Sequence, residues 1–168
     1  MPTSWHVAVA AESLVASLFA RTGFDVSVQY GADQPEYDLM IAQGDKLAKI
    51  SAKGSQDGNW GLTQKYLRNA DYQRAIGDWE KAHSKKLLFA FVQFKNVDIA
   101  EMPRVYLATV PEIAVRLRAT AAGRGDTILY EKKLWTARAK GAGTEDAIPQ
   151  EWTFSERRIH HLLEFVTS

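Results

Sequence analysis

Asp38 and Lys53 place a carboxylate and an ammonium within one short stretch, YDLMIAQGDKLAKISAK, and Glu12 supplies a second acid upstream. An acid and a lysine brought together at a strand end form either a surface ion pair or a site. Which one depends on whether the chain holds them on a common face. The stretch has the pattern of a β-hairpin, with Tyr37 to Gln43 as one strand and Lys46 to Lys53 as the other. Gly44-Asp45 between them suits a two-residue type II′ turn. That turn sets Gln43 against Lys46, and counting back sets Asp38 opposite Ser51. Leu47, Lys49, Ser51 and Lys53 then share a face with Asp38. Directly opposed side chains lie ~5 Å apart at Cβ, and a diagonal neighbour such as Lys53 lies ~7–8 Å away.

The elements around the hairpin follow from periodicity. His6 to Arg21 is a helix, with Val7, Ala11, Leu14, Val15 and Leu18 at helical spacing and Gly23 ending it. Glu12 sits at the edge of that apolar stripe, where a glutamate reaches sideways from a buried face or is simply solvated. Phe24 to Tyr30 alternates as a half-buried strand, and residues 31–36 form a turn. Residues 54–61 have the composition of a polar, glycine-rich loop, and Leu62 to His83 of one helix. Leu87 to Phe94 is almost continuously apolar, which fits a central strand covered on both faces. Arg104 to Val110 is another strand, followed by a helix from Pro111 to about Ala122 and a short strand at Thr127 to Tyr130. Residues 131–150 are irregular, with Gly141 to Pro149 an exposed loop. Ser155 caps a last helix whose face is Ile159, Leu162, Leu163 and Val166. The order α-β-β-β-α-β predicts an α/β fold with a mixed sheet flanked by helices.

With 168 residues the chain is expected to form a single domain, a core over about 5–110 and a C-terminal elaboration over about 111–168. Net charge is +1, so any nucleic-acid surface has to be local. The absence of cysteine excludes disulfides and thiolate metal sites and fits a reducing, cytoplasmic location. No apolar run reaches ~18 residues, which argues against a membrane span, and the N-terminus has no signal pattern.

Glu12, Asp38 and Lys53 together resemble the PD-(D/E)XK nuclease superfamily, the restriction-endonuclease-like proteins. The matching pieces are AES in the first helix, YDL at one strand start and ISAKGS at the next strand's end. They lie in the family's order on its αβββαβ core, over roughly residues 5–95. The resemblance implies a metal-dependent nuclease that hydrolyses DNA phosphodiesters. Asp38 would be the main ligand of Mg²⁺ or Mn²⁺, the Ala52 backbone carbonyl a second ligand, Glu12 an accessory acid and Lys53 the catalytic lysine. Ser51 departs from the pattern: a neutral hydroxyl stands where the family carries an acid. Metal binding is then weak unless another acid, such as Glu36, Asp57 or Asp71, compensates.

Lys65 and Arg68 begin the predicted helix beside the site, where related nucleases touch the phosphate backbone; a solvated polar face is the alternative. Lys132, Lys133, Arg138 and Lys140, with Trp135, form a segment that could follow a nucleic acid, or else an ordinary exposed basic stretch offset by Glu145-Asp146. His160 and His161 are adjacent on a helix and do not face one ligand, and no His or Cys spacing suits zinc. Two further readings stay open beside the nuclease. One is a catalytically inactive nucleic-acid-binding or protein-interaction module on the same fold. The other is a homo-oligomer whose five Trp and six Tyr line an interface.

Overall fold

The computed structural model describes residues 1–29 and 36–168. The turn expected at 31–36 and the end of its preceding strand at Tyr30 fall, Glu36 apart, outside the described residues. Helix α1 spans Ser4–Arg21 and is opened by a reciprocal cap: His6 N–H donates to the Thr3 hydroxyl, and Thr3 N–H donates to His6 Nδ1. Its buried stripe is Val7, Ala11, Val15 and Phe19. Gly23 takes the left-handed conformation (φ +89°) that releases the chain into β1, Asp25–Val28. Strands β2, Leu39–Gln43, and β3, Lys46–Ser55, form the predicted hairpin with Gln43 opposite Lys46. Gly44 has φ +59° and Asp45 has no positive φ, as a II′ turn requires.

After β3 come β4, Asn59–Gly61, α2, Tyr72–Ala82, and β5, Leu87–Gln93, which runs parallel to β3. Strand β6, Arg104–Thr109, lies antiparallel beside β5, giving a five-stranded mixed sheet in the order β1-β2-β3-β5-β6. Helix α3, Val110–Gly123, and strands β7, Ile128–Tyr130, β8, Lys132–Leu134, and β9, Glu145–Ala147, lead to α4, Glu156–Thr167. The expected αβββαβ order and helix-flanked mixed sheet are therefore present.

All seven residues of β5 are buried because both sheet faces are covered. Leu88, Ala90 and Val92 point into a core with Ala11, Val15 and Phe19 of α1 and Ile159, Leu162 and Leu163 of α4. Leu87, Phe89 and Phe91 point the other way, against Ile76 and Trp79 of α2 and Ile113 and Leu117 of α3. Alternation along an interior strand thus produces the unbroken apolar run.

Three expectations are corrected. The helix from Leu62 to His83 is broken: a 3₁₀ turn at Gln64–Tyr66 is followed by left-handed residues Asn69 (φ 54°) and Ala70 (φ 56°). Asp71 then starts α2 afresh by accepting Arg74 N–H at 3.0 Å. The loop at 54–61 is mostly strand: β3 runs to Ser55, and β4 pairs with β7, burying Trp60 against Phe91. Within β3, Gly54 is a close-contact residue, since a Cβ there would come within 2.8 Å of the Val7 carbonyl and 2.9 Å of Ala11 Cβ. Finally, the loop at 141–149 contains β9, which pairs with β8.

Candidate functional site

The hairpin seam opens at Asp38. Its N–H donates to the Ile50 carbonyl at 2.8 Å, although Ile50 is already opposite Leu39. Two residues at the start of β2 therefore face one of β3, which is a β-bulge. The bulge corrects the expected register: Asp38 does not sit squarely across from Ser51. Its carboxylate lies along β3 instead, with Oδ2 accepting the Ala52 N–H at 2.8 Å. The N–H and C=O of a strand residue point toward the same neighbouring strand. The Ala52 carbonyl thus lies on the Asp38 side of β3.

Helix α1 brings Glu12 to the same place. Gly54 lets α1 press onto β3 at Val7 and Ala11, which carries Glu12 to the mouth of the seam. The half-buried Glu12 carboxyl lies beside Asp38. Burial raises it above the ordinary glutamate value, the neighbouring Asp38 carboxylate raises it further, and the Lys53 ammonium opposes them. Glu12, Asp38 and Lys53 are therefore one electrostatic cluster, assembled from residues 41 positions apart in the chain. Ser51 is buried, on the side of the sheet shared with its β5 partner Phe89.

Lys53 is exposed and stands on the wall of a cleft of about 340 Å³ with Ser55, Asp57, Asn59, Trp60 and Gly61. Trp60 Nε1 donates to the Lys53 carbonyl at 3.1 Å and holds β4 under the lysine. Sequence reasoning missed this wall. Its one signal was the tryptophan in GNWG, too apolar for a free loop.

Of the acids considered as replacements for Ser51, Glu36 pairs with His83 at 3.5 Å and Asp71 caps α2. Asp57 shares the cleft with Lys53, but its Oδ1 already accepts the Ser55 hydroxyl at 2.9 Å and Asn59 N–H at 3.2 Å. Among the described residues no group of three His, Cys, Asp or Glu converges as a metal site.

The proposed nucleic-acid contacts fall in two places. Lys65 lies over the Tyr66 ring at 5.1 Å, and Arg68 donates to the carbonyls of Lys65 and Leu67, both on the segment before α2. Lys132 and Lys133 are exposed on β8, and Arg138 is exposed at the tip between β8 and β9. Trp135 is not a stacking platform: it is buried, with Nε1 donating to Asp146 at 2.6 Å. Asp146, expected on an exposed acidic loop, is buried too, and accepts from Arg116 and from Ala121 N–H. Its buried charge requires those donors.

The fold and the cluster define a mixed-sheet α/β protein with a carboxylate pair and a lysine at the open end of its central hairpin. No family model and no curated protein matches the sequence. Among solved structures the chain is similar to a bacterial homing endonuclease, I-Ssp6803I, at 14% identity and a TM-score of 0.49. The alignment covers 99% of this chain and 96% of that chain. No described helix is long and apolar enough to cross a membrane.

Proposed function

We propose that this chain is a Mg²⁺- or Mn²⁺-dependent nuclease of the PD-(D/E)XK type, hydrolysing phosphodiester bonds in DNA. The observation that carries the proposal is the convergence of Glu12, Asp38 and Lys53 at the bulged end of the hairpin. Asp38, Glu12 and the Ala52 carbonyl are oxygen donors of the kind Mg²⁺ takes, and that ion is commonly held by one or two carboxylates with water completing its shell. A bound divalent ion would supply charge neutralisation at the phosphate and a more acidic water. The rest falls to the chain. The Ala52 N–H fixes the Asp38 carboxylate, and Glu12 adds negative charge beside it. The exposed Lys53 lines the cleft, and its ammonium would orient the attacking water and balance charge on the phosphate. With two acids and not three, metal affinity is weak.

The test is cleavage of supercoiled plasmid with Mg²⁺ or Mn²⁺, by wild type and Lys53→Ala. Wild type should nick the plasmid, and Lys53→Ala should lose about 10²-fold or more, the scale for removing a charge-stabilising donor. Calorimetric titration should show Lys53→Ala still binding metal. Cleavage unaffected by Lys53→Ala would overturn the assignment. One observation favours a second reading, an inactive DNA-binding module: Ser51 leaves the site one charge short. Weak metal binding with no cleavage at any metal concentration supports that reading instead.

A further inference from the structure

The β8–β9 ribbon presents a fully exposed strand, and its construction differs from that of a loop. All three residues of β8 are exposed, Leu134 at 61%. Beyond the ladder, Trp135 N–H donates to the Thr144 carbonyl at 3.0 Å and Gly143 N–H to the Trp135 carbonyl at 2.9 Å, so the ribbon is closed up to its tip. The ribbon is clamped at the inner face by Asp146, which takes bonds from Arg116, Trp135 Nε1 and Ala121 N–H. A buried, three-fold bonded carboxylate under an exposed arm holds that arm in one orientation before any partner arrives.

The arm adjoins the cleft. Lys133 Nζ lies 5.6 Å from the Tyr130 ring centre, Tyr130 pairs with Asn59, and Asn59 lines the cleft that holds Lys53. From Lys132 to Glu145 the ribbon carries Lys132, Lys133, Arg138 and Lys140 against one acid, Glu145. Glu145 pairs with Lys132 at 3.7 Å, both exposed, a contact of the kind worth little in water and readily exchanged for a phosphate. Alternation puts Lys132, Leu134, Glu145 and Ala147 on the outward face, away from the clamped Asp146. That face offers a cation, an exposed apolar side chain and an acceptor.

We infer that the β8–β9 ribbon is a groove-entering arm that takes duplex DNA through its major groove. The inference rests on the nuclease reading only for the choice of DNA as ligand. Width decides the groove: two strands about 4.8 Å apart, with their side chains, match a major groove about 12 Å wide and exceed a minor groove about 6 Å wide. Lys132 on the outward face and Arg138 at the tip supply phosphate contacts, Lys133 on the inward edge beside the cleft reaches a flanking phosphate, and Leu134 meets base edges, where a thymine methyl is the apolar partner.

The experiment is metal-free binding, in EDTA, of a fluorescein-labelled 30-bp duplex by wild type, Lys53→Ala, Leu134→Ser and Lys132→Ala/Lys133→Ala/Arg138→Ala. The mutated ribbon residues are exposed, so all variants should melt within a few degrees of wild type. The triple variant should lose about 10²-fold in affinity at 150 mM salt, and its log K against log salt slope should be shallower by about 2–3. Leu134→Ser should weaken binding less and leave the salt slope unchanged. Methylation of guanine N7 in the duplex should interfere with wild-type binding, whereas a minor-groove ligand should not compete. Equal affinity of wild type and triple variant, competition by the minor-groove ligand alone, or equal binding of single-stranded DNA each overturns the inference. The nuclease reading fails separately. If wild type binds through the ribbon yet never cuts when Mg²⁺ is restored, the arm stands and the catalytic assignment falls. If wild type cuts with Lys53 but the ribbon variants bind normally, the reverse holds. A wild type that binds no duplex overturns the arm outright.

Discussion

At the scale of single residues the cluster carries its own stability signature. The Glu12 carboxyl is raised by burial and by Asp38, so the folded chain holds that proton more tightly than the unfolded one. Below the ordinary value of 4.5 both states are protonated and Glu12 has no linkage effect. As pH rises through the raised folded value, the buried charge becomes a cost that persists at neutrality. Glu12→Gln should therefore raise the melting temperature at pH 7.5, on the order of 1 °C, and change little at pH 4. Thermal melts at the two pH values check the sign; a variant less stable at pH 7.5 contradicts it. Ser51 gives a second test. Ser51→Glu places a carboxylate where the wild type buries a hydroxyl, so without metal it should destabilise by about 1–3 kcal/mol. Mg²⁺ should recover part of that loss by binding the folded state, and Asp38→Ala should abolish the recovery. No Mg²⁺-dependent shift in Ser51→Glu would count against a metal site at Asp38. Asp38 and Lys53 were legible as neighbours because a hairpin register alone brings them near each other, whereas Glu12 also depended on α1 packing against β3. The bulge at Asp38 was not legible, since it depends on which N–H the Ile50 carbonyl accepts, and neither residue's type dictates that.

At the scale of elements, edge strand β6 is fastened to the residue linking β7 and β8. Arg104 donates to both Glu131 carboxylate oxygens, at 2.8 and 2.9 Å, and the Tyr106 hydroxyl donates at 2.7 Å. Burial pushes the Tyr106 hydroxyl up to about 12, with Glu131 adding to the shift. Burial also acts to raise Glu131, but the hydrogen bonds from Arg104 and Tyr106 overcome it and hold the carboxyl below its ordinary value. A depressed carboxylate stabilises the fold above the unfolded value near 4.5, and that contribution disappears as pH falls through the folded value. Glu131→Gln should thus cost about 1 kcal/mol or less at pH 7, since Arg104 is partly exposed. The difference from wild type should shrink by pH 3, as urea titrations at both pH values would register. Among the elements, α1, the β2–β3 hairpin, β5, β6 and α4 were readable because each carries its own period or turn. The segment from 62 to 71 was misassigned because no glycine or proline interrupts residues 62–76, and the left-handed backbone at Asn69 and Ala70 leaves no mark in hydropathy. Strands β4, β8 and β9 are three residues each, too short for alternation to register, and their existence depends on distant partners.

For the whole molecule, the order of local stability follows from where the layers close. Strand β5 lies between β3 and β6 with cores on both faces, so its amides are bonded on each side and covered above and below. They should exchange only by global unfolding and be the slowest in the chain. The site lies on the neighbouring strand β3, beyond the end of the β2–β3 ladder, where the Ala52 N–H is held by the Asp38 side chain. That amide should open well below the global free energy, and Asp38→Ala should accelerate its exchange by about 10-fold or more through loss of a charge-assisted bond. The ribbon divides internally: residues 136–142 at the tip should exchange fastest, while Asp146 on the clamped strand and Ile148 just beyond it should be protected. Hydrogen exchange followed residue by residue would check the three tiers together. Equal rates at Asp146 and at the tip would mean that the ribbon is not clamped. Protection of Ala52 equal to that of β5, unchanged by Asp38→Ala, would mean that the Asp38 carboxylate does not hold the seam.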